Sequence, residues 1–407
     1  MPVTDKARLF TRSYMCIVAA NFLLYFGFWL LVPVLPFYLK EIYGCEEAAM
    51  GAILSCYALS GLCIRPFSGY ILDKFPRKPV YIFCYVICAA MFVGYAVAAT
   101  ILVFVILRLI HGLAFGGVTV GGNTLCVDIM PSSRRGEGLG YYGLANNVAM
   151  ALGPMTGLFL HTAIPFSAIF IVGLAVTMAG LLCAVCVKAR VPQSLRQRPP
   201  HIVRRPVHVS LDRFILIKGL PVSLSLLMLS MPYGATTNYV AVYAREIGIT
   251  SHSGFFFTLM ALGMGMARIV AGKRVDKGFV TQCIHVGYYP VIAAFLLLGL
   301  CRMMPIEWAS VAFYLIAFML GAGFGVMFPA MNTLYINLAP NNKRATATST
   351  YLTAWDVGLA TGIFTGGIIA HHFTFYMVYL VGSVICVASL LFFVGKVTPH
   401  YYANRER

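Results

Sequence analysis

The chain has 407 residues, of which 60% are hydrophobic and only 11% are charged, and its formal net charge is +17. So few charges cannot coat a soluble globule of this size, and the composition therefore indicates a membrane protein. The bases are spread between apolar runs, which favours a role in membrane topology over nucleic-acid binding. The twelve cysteines form no metal or disulfide pattern, and we expect no metal and no cofactor.

A helix that crosses a bilayer needs about 20 mostly apolar residues, because the hydrocarbon satisfies no open backbone group. Twelve stretches of the sequence have this character, which predicts an all-α membrane protein with twelve transmembrane helices. In chain order they lie near 14–39, 48–72, 79–99, 101–129, 138–161, 165–187, 214–243, 250–274, 281–301, 308–338, 345–370 and 374–395.

The longest polar segment, 188–213, is rich in proline and arginine and predicts a basic linker between domains at 1–187 and 214–407. Of the 30 bases, three fall in one set of loops and three within spans, which leaves 24 on the face that carries the linker and both termini. The positive-inside rule makes that face cytoplasmic. We therefore expect both termini inside the cell, with the chain in the plasma or inner membrane.

The two halves of the sequence repeat one charged signature. A shift of 203 residues pairs Arg65, Gly69 and Asp73 with Arg268, Gly272 and Asp276. A shift of 209 residues lays "NTLCVDIMPSSRRG", from Asn123, over "NTLYINLAPNNKRA", from Asn332. This pattern predicts two six-helix bundles that are related by a parallel internal repeat.

The first half contains three short motifs: "GYILDKFPRK" from Gly69, "RLIHG" from Arg108 and "ALGPMTG" from Ala151. All three resemble motifs of the major facilitator superfamily. The first is similar to its loop signature G-x-x-x-D-[RK]-x-G-[RK]-[RK], except that Pro76 replaces the second glycine. "RLIHG", from Arg108, resembles R-x-x-Q-G with His111 in the glutamine place, and "ALGPMTG", from Ala151, resembles G-P-x-x-G. The resemblance implies a twelve-span transporter, and the last motif points to the proton-driven exporters of drugs or metabolites.

The loop signature has a physical interpretation of its own, as a latch on the cytoplasmic side. Asp73 and Arg77 can bond across the loop and to Asp128 at the end of the fourth span. The alternative is a solvated basic loop, and the repetition favours the latch. The predicted latch consists of Gly69, Asp73, Arg77, Asp128 and Asp276.

The fifth span carries "GPMTG", with Gly153, Pro154 and Gly157. Proline removes one helix hydrogen bond and glycine removes bulk, so these residues permit a bend and close packing at one level. A generic helix contact would use the same residues.

Asp356 is the carboxylate that falls deep within a predicted span, which makes it the candidate proton carrier. The alternative is a permanently ionised structural aspartate. In the resembled family the second and eleventh spans are neighbours, so we expect Arg65 to pair with Asp356 as a proton-sensitive gate. The shift of 209 residues pairs Asn147 with Asp356, so Arg268, the counterpart of Arg65, would face a neutral amide in place of a carboxylate. The alternative to a gate is that the side chains of both arginines extend to lipid phosphates.

The remaining candidates are polar residues of the first bundle. Arg108 and His111 lie one turn apart on one helix face, where they could bind an anionic group or tune a proton site, or serve as fixed packing residues. The predicted substrate cavity is lined by Arg108, Asn21, Tyr25, Asn146 and Asn147, and the predicted proton or gate residues are Asp356, Arg65, Arg268 and His111.

The leading hypothesis is a monomeric secondary transporter that exports a small organic compound by proton-coupled alternating access, with no ATP-binding motif and no enzymatic motif. Its expected partners are a small-molecule substrate, protons and the lipid bilayer, and not nucleic acid. Proton-coupled uptake of an organic anion is an alternative, suggested by buried arginines. A non-transporting membrane receptor or sensor is another, although the chain has no sizeable soluble domain for signalling.

Overall fold

The computed structural model describes residues 9–131, 134–188, 215–249, 252–340 and 344–405. For residues 66, 69, 70, 73, 74, 135–137, 273, 276, 344 and 345 it describes the backbone alone. The predicted linker, apart from its first residue, lies outside these ranges. The described chain is helical and contains no β-strand. Its α-helices are α1 (Arg12–Leu31), α2 (Leu35–Tyr43), α3 (Glu47–Lys74), α4 (Arg77–Val97), α5 (Ile101–Ile129), α6 (Arg135–Ala163), α7 (Phe166–Cys186), α8 (Leu220–Glu246), α9 (Phe255–Asp276), α10 (Val280–Leu300), α11 (Ile306–Asn337), α12 (Arg344–Phe373), α13 (Phe375–Phe392) and α14 (Thr398–Asn404).

Ten candidate membrane spans occur in the described part of the chain, judged by length and hydropathy. They comprise α1, α3, α4, α5, α7, α9, α10, α11, α12 and the continuous helix from Phe375 to Asn404. Helices α6 and α8, with 29 and 27 residues, are long enough to cross a bilayer but are not among these ten candidates. The predicted count of twelve spans therefore stays a prediction.

Several predicted boundaries differ from those of the observed helices by a few residues, and two of the differences involve proline. The stretch 14–39 is interrupted by turns at residues 32–34. Pro33 has no N–H to donate to the preceding turn, and Pro36 lies in the first turn of α2, where a proline is tolerated. The last helix continues past residue 395 to Asn404, because a π-helical segment, Phe393–Val397, joins α13 to α14. The wider turn accommodates Pro399, which cannot donate a helix hydrogen bond.

The described residues group into two compact units. The first unit is drawn from Met1–Leu31, Ser60–Gly153 and Ala163–Val207, and the second from Val32–Leu59, Pro154–Thr162 and His208–Arg407. Helices α3 and α6 each contribute to both units. The division into bundles at 1–187 and 214–407 stays a prediction.

Buried tyrosines connect the helices of the first unit. The Tyr85 hydroxyl on α4 donates to the carbonyl of Ala20 on α1 at 2.8 Å, and the Tyr14 hydroxyl donates to the carbonyl of Gly138 on α6 at 2.8 Å. Between helices in a bilayer, such bonds and close packing replace the hydrophobic driving force.

In the second unit, a tyrosine hydrogen bond and closely packed glycines join α8 to α12. The Tyr239 hydroxyl on α8 donates to the carbonyl of Ile363 on α12 at 2.9 Å. On α12, Gly358 and Gly362 lie against the α8 backbone, so closely that an added Cβ would overlap Leu227 and Met231. The close approach holds α8 and α12 at a fixed distance.

Candidate functional site

Arg108 and His111 lie together on α5 in the first unit, and both are buried. Tyr95 on α4 shares a hydrogen bond of 2.9 Å with Nδ1 of His111 and also hydrogen-bonds to the Arg108 side chain. The rings of Phe92 and Phe115 contact the imidazole edge-on. The sequence placed Arg108 and His111 on one face, and the structure adds the tyrosine that joins them into a fixed polar centre.

A second polar contact joins α1 to α6. Nδ2 of the buried Asn21 donates to Oδ1 of Asn146. Asn147, the next residue on α6, is half-buried. Tyr25, one turn after Asn21, packs its ring against Phe115 with 5.3 Å between centroids. The predicted cavity residues of the first and fifth spans therefore lie close to the aromatic surroundings of His111.

The second unit contains an aromatic cluster that sequence reasoning missed. Its members are Tyr233 on α8, Phe324 and Phe328 on α11, and Trp355 on α12. The Tyr233 ring centroid lies 4.9 Å from that of Phe324 and 5.0 Å from that of Trp355, and the Phe328 and Trp355 centroids are 4.2 Å apart. Aromatic residues are common in membrane spans, so none of the four stands out until three helices bring them together. We call these four residues the aromatic cluster.

The predicted internal repeat could have indicated part of the aromatic cluster. In the first unit, the rings of Phe28 on α1 and Phe115 on α5 lie 4.7 Å apart. A shift of 205 residues, which pairs Glu41 and Ile42 with Glu246 and Ile247, carries Phe28 onto Tyr233. The shift of 209 residues carries Phe115 onto Phe324. The predicted repeat therefore aligns an aromatic contact of the first unit with one of the second.

Asp356 follows Trp355 on α12 and is half-buried. Tyr351, five residues earlier on α12, lies within electrostatic range of both Asp356 and Arg268. Arg268 on α9 is also within range of Tyr233. Asp356 and Arg268 therefore share a tyrosine neighbour at the edge of the aromatic cluster. Arg65, on α3, is half-buried, and its predicted pairing with Asp356 stays a proposal.

The latch residues are described in part. Arg77 Nη1 lies 2.6 and 2.8 Å from the two carboxylate oxygens of Asp128. Arg77 begins α4 and Asp128 lies at the end of α5, so each charge alone opposes the dipole of its own helix, and the ion pair offsets both. For Gly69, Asp73 and Asp276 the structure describes the backbone alone.

Reversing this ion pair tests its importance. We expect Arg77→Asp to lower transport several-fold, because it places two carboxylates in contact, and Arg77→Asp with Asp128→Arg to restore most of the loss. A partly exposed pair contributes only about 0–1 kcal/mol, so the effect of Asp128→Asn should be no more than about fivefold. Transport by the three variants at matched expression is the measurement, and an unrescued double variant would show that the residues act separately.

A cluster of charged side chains lies at the end of the second unit that is predicted to face outside the cell. Arg245 Nη1 on α8 lies 2.7 Å from the Glu41 carboxylate on α2, and His161 on α6 lies 3.8 Å from the same carboxylate. Lys40 lies 2.9 Å from Glu47, and His371 on α12 lies 3.9 Å from the same carboxylate. Glu41 and Glu47 fall between the predicted spans 14–39 and 48–72, where a charged residue suggests no particular role. We call this set the outer cluster: Lys40, Glu41, Glu47, His161, Arg245 and His371.

The outer cluster borders a cavity of about 460 Å³, which includes Glu41, His161 and Arg245 in its lining. The backbones of α3 and α12 meet near Glu47 of the outer cluster, since a Cβ on Gly51 of α3 would lie 2.9 Å from the carbonyl oxygen of Ile363 on α12. Partly exposed ion pairs are individually weak. At this end, backbone contact between α3 and α12 and several weak ion pairs hold the helices together.

The "GPMTG" residues lie within α6, which contains Pro154 in its interior. A Cβ on Gly153 would lie 2.6 Å from the Cβ of Trp29 and 3.0 Å from the backbone nitrogen of Leu30 on α1. Gly157 is buried. The glycine at position 153 thus allows α6 to touch α1 directly, as the interpretation of close packing requires.

The sequence profile of the Major Facilitator Superfamily matches residues 17–363 and 290–406. The chain belongs to this family. It is 24% identical over 397 residues to the multidrug resistance protein MdtG of Escherichia fergusonii, covering 96% of this chain and 95% of that protein. The structure resembles those of the nucleoside transporter NupG (TM-score 0.73, 16% identity, 95% of this chain and 99% of that one) and a D-xylose–proton symporter (TM-score 0.70, 18% identity, 93% and 96%).

Membership of the major facilitator superfamily makes this chain a multi-pass membrane transporter of a small molecule, not an enzyme. It also disfavours the receptor alternative. The two structural relatives show the fold alone, because they are named for different substrates at low identity. Substrate and direction must therefore be inferred from the side chains of this chain.

Proposed function

We propose that this protein is a secondary transporter that exports a small aromatic organic compound in exchange for protons. The observation that carries the proposal is the position of Asp356 beside the aromatic cluster. Aromatic faces attract planar apolar compounds and cations, and a carboxylate can hold either a cation or a proton. A site whose carboxylate binds the two in turn exchanges one for the other, which is the requirement of antiport.

Asp356 suits the proton-carrying role better than His111 does. His111 is enclosed by aromatic rings and already hydrogen-bonded to Tyr95. Asp356 is only half-buried, so a proton can reach it more readily. The name of the MdtG relative, a multidrug resistance protein, supports export of organic compounds.

The proposed transport cycle is alternating access, in which two six-helix bundles expose the site to each side of the membrane in turn. The outer cluster would open and close one end. At the other end, the latch and the pairing of Arg65 with Asp356 would do so, with protonation of Asp356 releasing Arg65. The corresponding ring pairs of the two units support two related bundles. We propose that the chain works as a monomer.

Uptake of an organic anion with protons is the competing function. Arg108 is buried and Arg268 is half-buried, and either could hold a carboxylate or a sulfate group. The two functions predict opposite responses in intact cells. Cells that express the chain should lose preloaded ethidium, an aromatic cation, faster than cells that express Asp356→Asn. Faster entry of fluorescein, an aromatic anion, without any effect on ethidium would favour uptake instead.

The membrane orientation can be tested with thiol reagents, because all twelve cysteines are free thiols and can be removed. In a cysteine-free variant, Ser194→Cys in the linker should resist an impermeant maleimide in intact cells and react after permeabilisation, because we place the linker in the cytoplasm. Met303→Cys is the control, since Met303 is 72% exposed between α10 and α11 and should react at once. Ready labelling at position 194 in intact cells would reverse the topology.

A further inference from the structure

Each unit carries a groove between three corresponding helices. In the first unit a groove of about 550 Å³ lies between α3, α4 and α5, and in the second a groove of about 560 Å³ lies between α9, α10 and α11. The shift of 203 residues maps Phe83 and Ile87 of the first groove onto Val286 and Pro290 of the second. The two grooves are therefore corresponding features of the repeat, and their differences are informative.

Both grooves open towards the surroundings of the protein rather than towards its interior. Phe83 is 66% exposed in the first groove, and Val270 and Val286 are 65% and 57% exposed in the second. Exposed apolar side chains on transmembrane helices face hydrocarbon. The floor of the second groove lacks side-chain bulk, because Gly287 and Gly323 bring α10 and α11 into backbone contact. This shape suits an acyl chain.

The ends of the grooves differ in charge. Arg274, Lys277 and Gln282 line the second groove, and both bases are exposed. The position of Arg274 corresponds to Ile71 in the first groove, whose described lining is almost entirely apolar. Among the described residues, neither Arg274 nor Lys277 forms an ion pair with a carboxylate.

The bases that follow the first groove are already bound within the protein. Arg77 is paired with Asp128, and Lys78 Nζ donates to the carbonyl of Val185 at 2.8 Å. In the second unit the same two positions hold Val280 and Thr281. The second groove thus combines an apolar channel with Arg274 and Lys277 at one end, whereas the described lining of the first groove contains no base. Lys74, which corresponds to Lys277, is described by its backbone alone.

The backbone fixes the positions of the two bases. Gly278 has φ +90°, and the N–H of Phe279 donates to the carbonyl of Arg274 at 3.1 Å, which closes the end of α9. Arg274 and Lys277 are three residues apart and therefore lie on one face of the last turn. A phosphate between them would receive two charge-assisted contacts.

We propose that this groove binds an anionic phospholipid, with its phosphate on Arg274 and Lys277 and an acyl chain along Val286 and Pro290. The lipid would come from the cytoplasmic leaflet, and this detail alone rests on the proposed orientation. A basic residue near an anionic membrane surface is worth about 1 kcal/mol, or about fivefold in affinity. The lipid would hold α9 against α10 and α11 at the end that contains the repeated charged loop.

Native mass spectrometry of the purified protein with equal amounts of phosphatidylglycerol and phosphatidylcholine tests this site without any transport measurement. We expect wild type to retain phosphatidylglycerol preferentially, and Arg274→Gln with Lys277→Gln to lose that preference by more than tenfold. Val286→Trp, a substitution at an exposed position, should reduce retention of both lipids by filling the groove. Lys396→Gln, an exposed base elsewhere, is the matched control and should behave as wild type.

Two outcomes would contradict the proposed phospholipid site. One is an unchanged lipid preference in the double variant, and the other is an equal loss in Lys396→Gln, which would indicate general attraction to positive charge. Size-exclusion chromatography of each variant shows whether it is folded, and Arg274→Lys serves as a second test if the double variant aggregates. Because charge is kept in Arg274→Lys, it should retain most of the preference for phosphatidylglycerol.

Discussion

Asp356→Asn is expected to abolish proton-driven accumulation and to leave at most slow downhill movement of the substrate. The substitution keeps the size of the side chain and removes its ability to carry a proton. Transport by the variant should therefore no longer respond to an imposed pH gradient, with a loss of at least about tenfold relative to wild type, equivalent to 1.4 kcal/mol. Flux in reconstituted vesicles with and without a pH gradient separates the driven from the downhill component.

Two further variants sharpen this test. Glu307→Gln removes an exposed carboxylate at the start of α11 and should leave the pH response intact. Arg65→Gln tests the proposed gate, because removing either partner should perturb the same step. Losses that are strictly additive in Arg65→Gln with Asp356→Asn would rule out the gate, although not the role of Asp356.

Gly51→Val is expected to prevent closure of the outer end and to reduce transport strongly. A Cβ at this position would lie 2.9 Å from the carbonyl oxygen of Ile363 and 3.0 Å from the Cα of Gly367, and these backbone atoms cannot move aside. Overpacking of this kind costs about 1–3 kcal/mol. It would lower the population of the closed outer end by about 5- to 150-fold.

The test of Gly51→Val combines transport with accessibility. Ala241 lines the cavity of about 460 Å³ that the outer cluster borders. A cysteine at this position should react faster with an impermeant maleimide when Gly51→Val is also present than when Gly51 is kept. Gly265→Val is the matched control, because no atom lies within 4 Å of its would-be Cβ. Loss of transport with unchanged accessibility at position 241 would mean that Gly51 serves folding rather than closure.

Much of the helical framework could be predicted from hydropathy, because a bilayer requires long apolar helices and tolerates few other structures. The limits of α5 were predicted to the residue, and those of α7 within one residue. The break at residues 32–34 was missed because the segment stays apolar while Pro33 and Pro36 remove backbone donors. Hydropathy describes the polarity of side chains and does not register the loss of a backbone N–H donor at proline.

Of the candidate site, the sequence could predict only the charged residues that lie within predicted spans. Asp356, Arg108 and Arg268 stand out because charge is rare within spans. The aromatic cluster has no such mark, and only tertiary contact distinguishes its rings from those that face lipid. The outer cluster was missed for the opposite reason, since charged residues in loops are ordinary until packing brings them together.

The central claim is proton-coupled export, and transport in inverted membrane vesicles tests it most directly. In these vesicles the cytoplasmic face points outward, so an acidic lumen should drive ethidium into vesicles that contain the wild-type chain. A protonophore should release the accumulated dye, and Asp356→Asn should not accumulate it. Accumulation that ignores the pH gradient, or that occurs only when the lumen is alkaline, would contradict the account.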